Sequence, residues 1–139
     1  MAFKANSIFV NLPVKNLDRS IEFFTKLEFE FDSRFTDENA TCMIIGENIY
    51  AMLLVEPFFQ SFIKKEIADR ARTTEVILAI TAGSRSGVDE LVNRVVDAGG
   101  KLSKEPQDHG FMYSQSFEDL DGHLWEVFHM ENPDQEPKG

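Results

Sequence analysis

The chain has 139 residues, 42% hydrophobic and 27% charged, the make-up of a globular protein rather than a disordered or fibrous one. Its 24 acidic against 14 basic residues give a formal charge of −10, which argues against a nucleic-acid partner because phosphate binding needs clustered Lys and Arg. A single cysteine, Cys42, excludes an intrachain disulfide framework and suits a reducing, cytoplasmic setting. No apolar run is long enough to span a bilayer and the N-terminus has no signal-peptide pattern, so no membrane partner is expected.

Ser7–Val14 alternates as a strand, with Val10, Leu12 and Val14 on one side and Phe9, Asn11 and Pro13 on the other. Pro13 lacks a donor, which predicts a strand end or a sheet edge. Asn16 can cap a helix over Leu17–Leu27, whose stripe is Leu17, Ile21 and Phe24. Phe29–Phe35 and Thr41–Ile45 read as strands, separated by the polar turn Thr36–Asn39. After the turn Gly46–Asn48 comes a further strand ending in Tyr50–Glu56.

Pro57–Arg72 interrupts this pattern. Phe59, Phe62, Ile63 and Ile67 have helical spacing, so an inserted amphipathic helix is expected at about 57–73. It would either cover an exposed end of the core or act as an aromatic lid. A strand over Glu75–Ala82 and a helix over Gly87–Ala98 follow, the helix stopped by Gly99-Gly100. Pro106–Gly110 reads as a turn, Phe111–Phe117 as a strand and Asp119–Gly122 as a tight turn into the closing strand. Glu131–Gly139 is a polar, Pro-containing tail.

The order strand, helix, three strands therefore occurs twice. The expected fold is α+β: two tandem βαβββ modules, at about 6–56 and 74–130, forming a curved sheet cup with helices on the convex face. A module of about 60 residues buries too little surface to be stable alone, so the two should pack together, and a homodimer is expected. Strand parity puts Leu124, Glu126 and Phe128 on one face and His123, Trp125, Val127 and His129 on the other.

The run from Val10 to Phe24, VNLPVKNLDRSIEFF, resembles the opening strand and helix of the vicinal oxygen chelate superfamily. The run from Glu118 to Glu126, EDLDGHLWE, resembles its closing turn and strand. That superfamily comprises glyoxalase I, extradiol dioxygenases, fosfomycin-resistance enzymes and bleomycin-binding proteins. The resemblance spans about Ser7 to Met130. It implies paired βαβββ modules, usually a homodimer, and in the enzymes a divalent metal held in the cup by first- and last-strand side chains.

Carried over by position, the last-strand carboxylate falls on Glu126 and the first-strand ligand of the second module on Glu75. Their first-module counterparts fall on Phe9 and, by matching Glu47-Asn48 to Asp121-Gly122, near Met52. Glu126 and Glu75 are thus the expected metal ligands and catalytic carboxylates. They would hold Mg²⁺ or Mn²⁺ with help from water and substrate oxygens, whereas Zn²⁺ or Ni²⁺ would want more protein ligands. His109 is a further catalytic candidate, as a base reaching over the rim. Phe9, Asn11, Tyr50, Met52, Phe62 and Tyr113 are expected to line a small-molecule site, although core packing explains Tyr50, Met52 and Tyr113 as well. Two functions stay open. One is a metal-assisted lyase or isomerase of glyoxalase type, acting on adjacent oxygens. The other is a metal-free binding protein of bleomycin-resistance type, holding an aromatic or cationic compound. An extradiol dioxygenase ranks last, because the matched positions supply no His.

Overall fold

The computed structural model describes residues 2–131; the expected tail lies, Glu131 apart, outside them. The elements are β1 (Ile8–Val14), α1 (Leu17–Lys26), β2 (Glu30–Asp32), a 3-10 turn (Ser33–Phe35), β3 (Ala40–Gly46), β4 (Ile49–Val55) and α2 (Glu56–Gln60). They continue with β5 (Ile77–Thr81), α3 (Arg85–Asp97), β6 (Lys101–Asp108), β7 (Met112–Glu118) and β8 (Leu124–Met130). The chain divides into two compact units at Ala68/Asp69. Each holds one four-stranded mixed sheet, ordered β1-β4-β3-β2 in the first and β5-β8-β7-β6 in the second. The fold is α+β, two tandem βαβββ modules.

In the first unit β1 runs parallel to β4, and the other neighbours are antiparallel. Pro13 sits in β1, at the sheet edge where a missing donor does least harm. Asn16 caps α1 by accepting from the Arg19 N–H. The helix buries Leu17, Phe23 and Phe24, and Ala51, Leu53, Met43 and Thr41 of the sheet are fully buried. In the second unit Ser84 caps α3, which buries Val88, Leu91, Val92 and Val95. Phe117 and Trp125 stack with parallel rings 6.1 Å apart, and both are wholly buried. Burying each such side chain contributes roughly 1.5–3 kcal/mol.

Three expectations are corrected. The inserted helix stops at Gln60, and no regular helix continues it to residue 72. Ser61 turns its hydroxyl onto the Phe58 carbonyl and Gln60 reaches the Lys65 carbonyl, while Phe62 stays 67% exposed. A short helix needs a well-buried face, and this stripe is only half-buried at Phe59, Ile63 and Ile67, so local side-chain bonds win. The strand expected over Phe29–Phe35 ends at Asp32, whose carboxylate takes the Arg34 backbone N–H and clasps its guanidinium, starting the 3-10 turn. Pro106–Asp108 belongs to β6, so the turn is confined to His109–Phe111, closed by the His109 N–H on the Met112 carbonyl.

The Asp119–Gly122 turn, which precedes β8, is held from within. Buried Asp119 accepts from the backbone N–H of Asp121 and His123 and from the Trp125 indole N–H. Burial pushes its carboxyl above the usual range, against the pull of His123 and of those donors. Gly122 has φ +82°, and Arg70 packs on it while donating its Nε–H to the Asp121 carbonyl. This clasp anchors the start of β8 and so fixes where Glu126 falls.

Candidate functional site

The register across the second sheet is Ala79 opposite Glu126 opposite Ser116. Directly opposed residues share a face, and successive residues alternate. Tyr113 and Gln115, on the other parity of β7, both donate to Asp89 of α3, so α3 covers that face. The helix-free face therefore carries Ala79, Glu126 and Ser116, flanked by the pairs Ile77–Leu124 and Thr81–Phe128.

Glu126 is half-buried between Leu124 and Phe128, and its carboxylate has no hydrogen bond or ion pair among the described residues. A carboxylate in such surroundings is unfavourable unless something pairs with it. Ser116 is only 4% exposed, and its Oγ has no hydrogen-bond partner among the described residues. Ala79 ends at Cβ and is exposed, so its own side chain does not cover the carboxylate from the β5 side. Chemically the face offers the Glu126 carboxylate beside the Ser116 hydroxyl, with Ser114 and Glu118 of β7 and Thr81 of β5 on the same parity and Ile77, Leu124 and Phe128 as its apolar part.

Glu75 lies outside β5 and is exposed. The parallel registers decide which residue is its counterpart in the first sheet. Asn11 pairs with Met52 and Phe9 with Tyr50; Ala79 pairs with Glu126 and Ile77 with Leu124. With Met52 matched to Glu126, the equivalent of Phe9 is Ile77, two residues beyond Glu75. Of the four positions at which the resemblance implies metal ligands, this chain has apolar side chains at Phe9, Met52 and Ile77 and an oxygen donor only at Glu126. No group of three or more His, Cys, Asp or Glu that could hold a metal occurs among the described residues. That donor set does not fit Mg²⁺, Mn²⁺, Zn²⁺ or Ni²⁺.

The remaining candidates divide between the units. In the first, Phe9 and Tyr50 stack at 4.6 Å on adjacent strands, and Asn11 turns its amide onto the Phe9 carbonyl. Met52 continues that face beside Cys42, which is buried and whose thiol is pushed up by desolvation. Phe62 meets Phe58 edge-on at 5.0 Å. In the second unit His109 is exposed on the β6–β7 turn. Tyr113 belongs to the α3 side, away from Glu126: its ring lies 4.7 Å under the Arg85 guanidinium, its hydroxyl donates to Asp89, and Arg85 pairs with Asp108 and Glu131. His123 is buried and His129 Nδ1 lies 3.0 Å from the Ala82 carbonyl. The structure thus brings Glu126 together with Ala79, which strand parity puts on the cup side, and with Ser116, which sequence reasoning did not single out. A signal was present: the tight turn at Asp119–Gly122 fixes the β7–β8 hairpin, and counting back from Glu126 gives Ser116 the same parity.

The family model for the Glyoxalase/Bleomycin resistance protein/Dioxygenase superfamily matches residues 7–127. Among solved structures, a hypothetical protein from S. aureus, SA1046, is 27% identical over 91% of this chain and 95% of its own, with a TM-score of 0.78. A glyoxalase-related enzyme from Fulvimarina pelagi is 18% identical over 90% of this chain and 88% of its own, with a TM-score of 0.77. The genomically encoded fosfomycin resistance protein FosX from Listeria monocytogenes is 18% identical over 96% of this chain and 99% of its own, with a TM-score of 0.68. At 18% identity the last two show the fold alone. No curated protein matches the chain significantly in sequence. Because the family model covers nearly the whole of both βαβββ modules, the chain belongs to the Glyoxalase/Bleomycin resistance protein/Dioxygenase superfamily.

Proposed function

We propose that this chain is a small-molecule-binding member of its superfamily, holding an apolar compound with a cationic group at Glu126 and needing no metal to do so. The observation that carries this reading is the half-buried Glu126 carboxylate between Leu124 and Phe128, with no partner among the described residues. A cation placed there would offset the cost of the buried charge. The apolar floor of Ile77, Leu124 and Phe128 would take the rest of the ligand, as in most small-molecule sites. The formal charge of −10 would favour cations over anions at long range. Bleomycin resistance, named in the family description, concerns a drug-sized molecule, in keeping with a binding role. A metal-assisted lyase or isomerase would need further ligands at Phe9, Met52 and Ile77, and those side chains supply none.

The test is a thermal-shift screen of aromatic cations against protein kept in a chelator. Binding to the native state raises the melting temperature as ligand exceeds Kd. At least one aromatic cation is expected to stabilise the chelated protein. Stabilisation that appears only after a divalent metal is added would overturn the proposal. The homodimer expected by resemblance is open to sedimentation.

A further inference from the structure

Resting on the reading of Glu126 as a cation acceptor, we infer that the ligand's cation is an N–H donor, a protonated primary or secondary amine, seated between the Glu126 carboxylate and the Ser116 hydroxyl. The two residues are directly opposed across β7 and β8, on neighbouring strands about 4.8 Å apart. Neither side chain has a hydrogen-bond partner among the described residues, and Ser116 Oγ is buried. Native proteins rarely leave a buried hydroxyl unbonded, so such a group calls for an explanation.

The chemistry of the pair narrows the ligand class. An ionised carboxylate only accepts, and a hydroxyl that approaches the same cation also accepts, leaving its own proton free to turn towards the carboxylate. An ammonium carrying two or more N–H bonds satisfies both oxygens at once. A quaternary ammonium can be attracted to Glu126 by charge but has no proton to give Ser116. Ala79, on the other side of Glu126, leaves room for the ligand's carbon frame to run towards Ile77 and Phe128. Lys104 of β6 stands opposite Ser116 and is exposed to solvent.

The experiment compares 2-phenylethylamine with its N,N,N-trimethyl counterpart by calorimetry, in chelator, on wild type, Ser116→Ala and Glu126→Gln. Wild type is expected to prefer the primary amine by about 100-fold, the weight of two charge-assisted hydrogen bonds that the trimethyl compound cannot make. Ser116→Ala should lower that preference to about 10-fold, what the remaining N–H bond to Glu126 supplies, while leaving the trimethyl compound's affinity within about 2-fold. Glu126→Gln should weaken both. The Ser116→Ala protein without ligand should melt no lower than wild type, because an unpartnered hydroxyl has been removed; the melt also shows that the variant folds. An unchanged amine preference in Ser116→Ala overturns the inference. So does a lower melting temperature in that variant with the preference retained, the signature of a hydroxyl satisfied by water. In both cases loss of binding in Glu126→Gln would leave the broader cation-binding reading standing. If wild type binds neither compound, both readings fall for this ligand class.

Discussion

Met52 and Glu126 occupy the same ladder position in the two sheets. Met52 lies between Asn11 and Cys42, and Glu126 between Ala79 and Ser116. Duplication supplied the same frame twice, and the side chains placed on it have diverged. The second sheet carries a carboxylate and a hydroxyl where the first carries a thioether and a thiol. Within each unit the helix-free face is therefore chemically distinct, aromatic and soft in the first, acidic in the second.

The divergence bears directly on metals. With Phe9, Met52 and Ile77 at the positions a divalent ion would need, titration of the protein with Mg²⁺, Mn²⁺, Zn²⁺ or Ni²⁺ by calorimetry should give no stoichiometric site tighter than about 100 μM, the weak range of sparse carboxylate sites. A one-to-one site of micromolar affinity that vanishes in Glu126→Gln would contradict this.

Gly122→Ala should destabilise the second unit by about 1–3 kcal/mol, because φ is in the left-handed region and the new Cβ would also crowd its neighbour. That Cβ would meet Arg70 Cβ and the Arg70 carbonyl oxygen at 3.1 Å each. Urea unfolding measures the change; a midpoint equal to wild type would show that Arg70 yields freely.

Asp119→Ala removes the acceptor shared by the Trp125 indole, the His123 N–H and the Asp121 N–H. Leaving buried donors unpaired costs about 1–3 kcal/mol each, so a loss of about 3 kcal/mol in unfolding free energy is expected. The same variant should weaken ligand binding, since the clasp sets the register of β8. A stable variant with intact binding would dissociate the turn from the site.

Much of this arrangement was legible in the sequence. The parity of Val10, Leu12 and Val14 against Phe9 and Asn11, the Asn16 cap and the Asp119–Gly122 turn are local signals, and local physics decides them. What was not legible depended on long-range pairing. Glu75 was matched to Phe9 by counting along the chain, but the parallel β5–β8 register gives that position to Ile77. Residues 57–72 carry a helical spacing, yet beyond Gln60 the spaced residues are only half-buried at Ile63 and Ile67 and exposed at Phe62, and the helix stops. Tyr113 reads from the sequence as pocket-lining or core, and the long-range bond from its hydroxyl to Asp89 is what places it on the α3 side.

The Tyr113 contact has a pH signature. Hydrogen bonding to Asp89, with burial and that carboxylate's charge, raises the phenol above its ordinary 10.0. A group whose folded value is raised contributes stability that is complete below its unfolded value and is lost as pH rises through the folded one. The stabilising contact should therefore persist to about pH 10 and fade above it. Asp89→Asn should shift the phenolate absorbance midpoint of Tyr113 downward; an unchanged midpoint would mean that Asp89 does not set it.

The most direct test of the account is the affinity of a stabilising aromatic amine for wild type and for Glu126→Gln, measured by calorimetry in chelator. The account predicts binding to wild type that is insensitive to the chelator and at least about 10-fold weaker in Glu126→Gln, the loss expected when a buried ion pair loses one charge. Equal affinity in the two proteins, or binding that requires an added divalent metal, would contradict it.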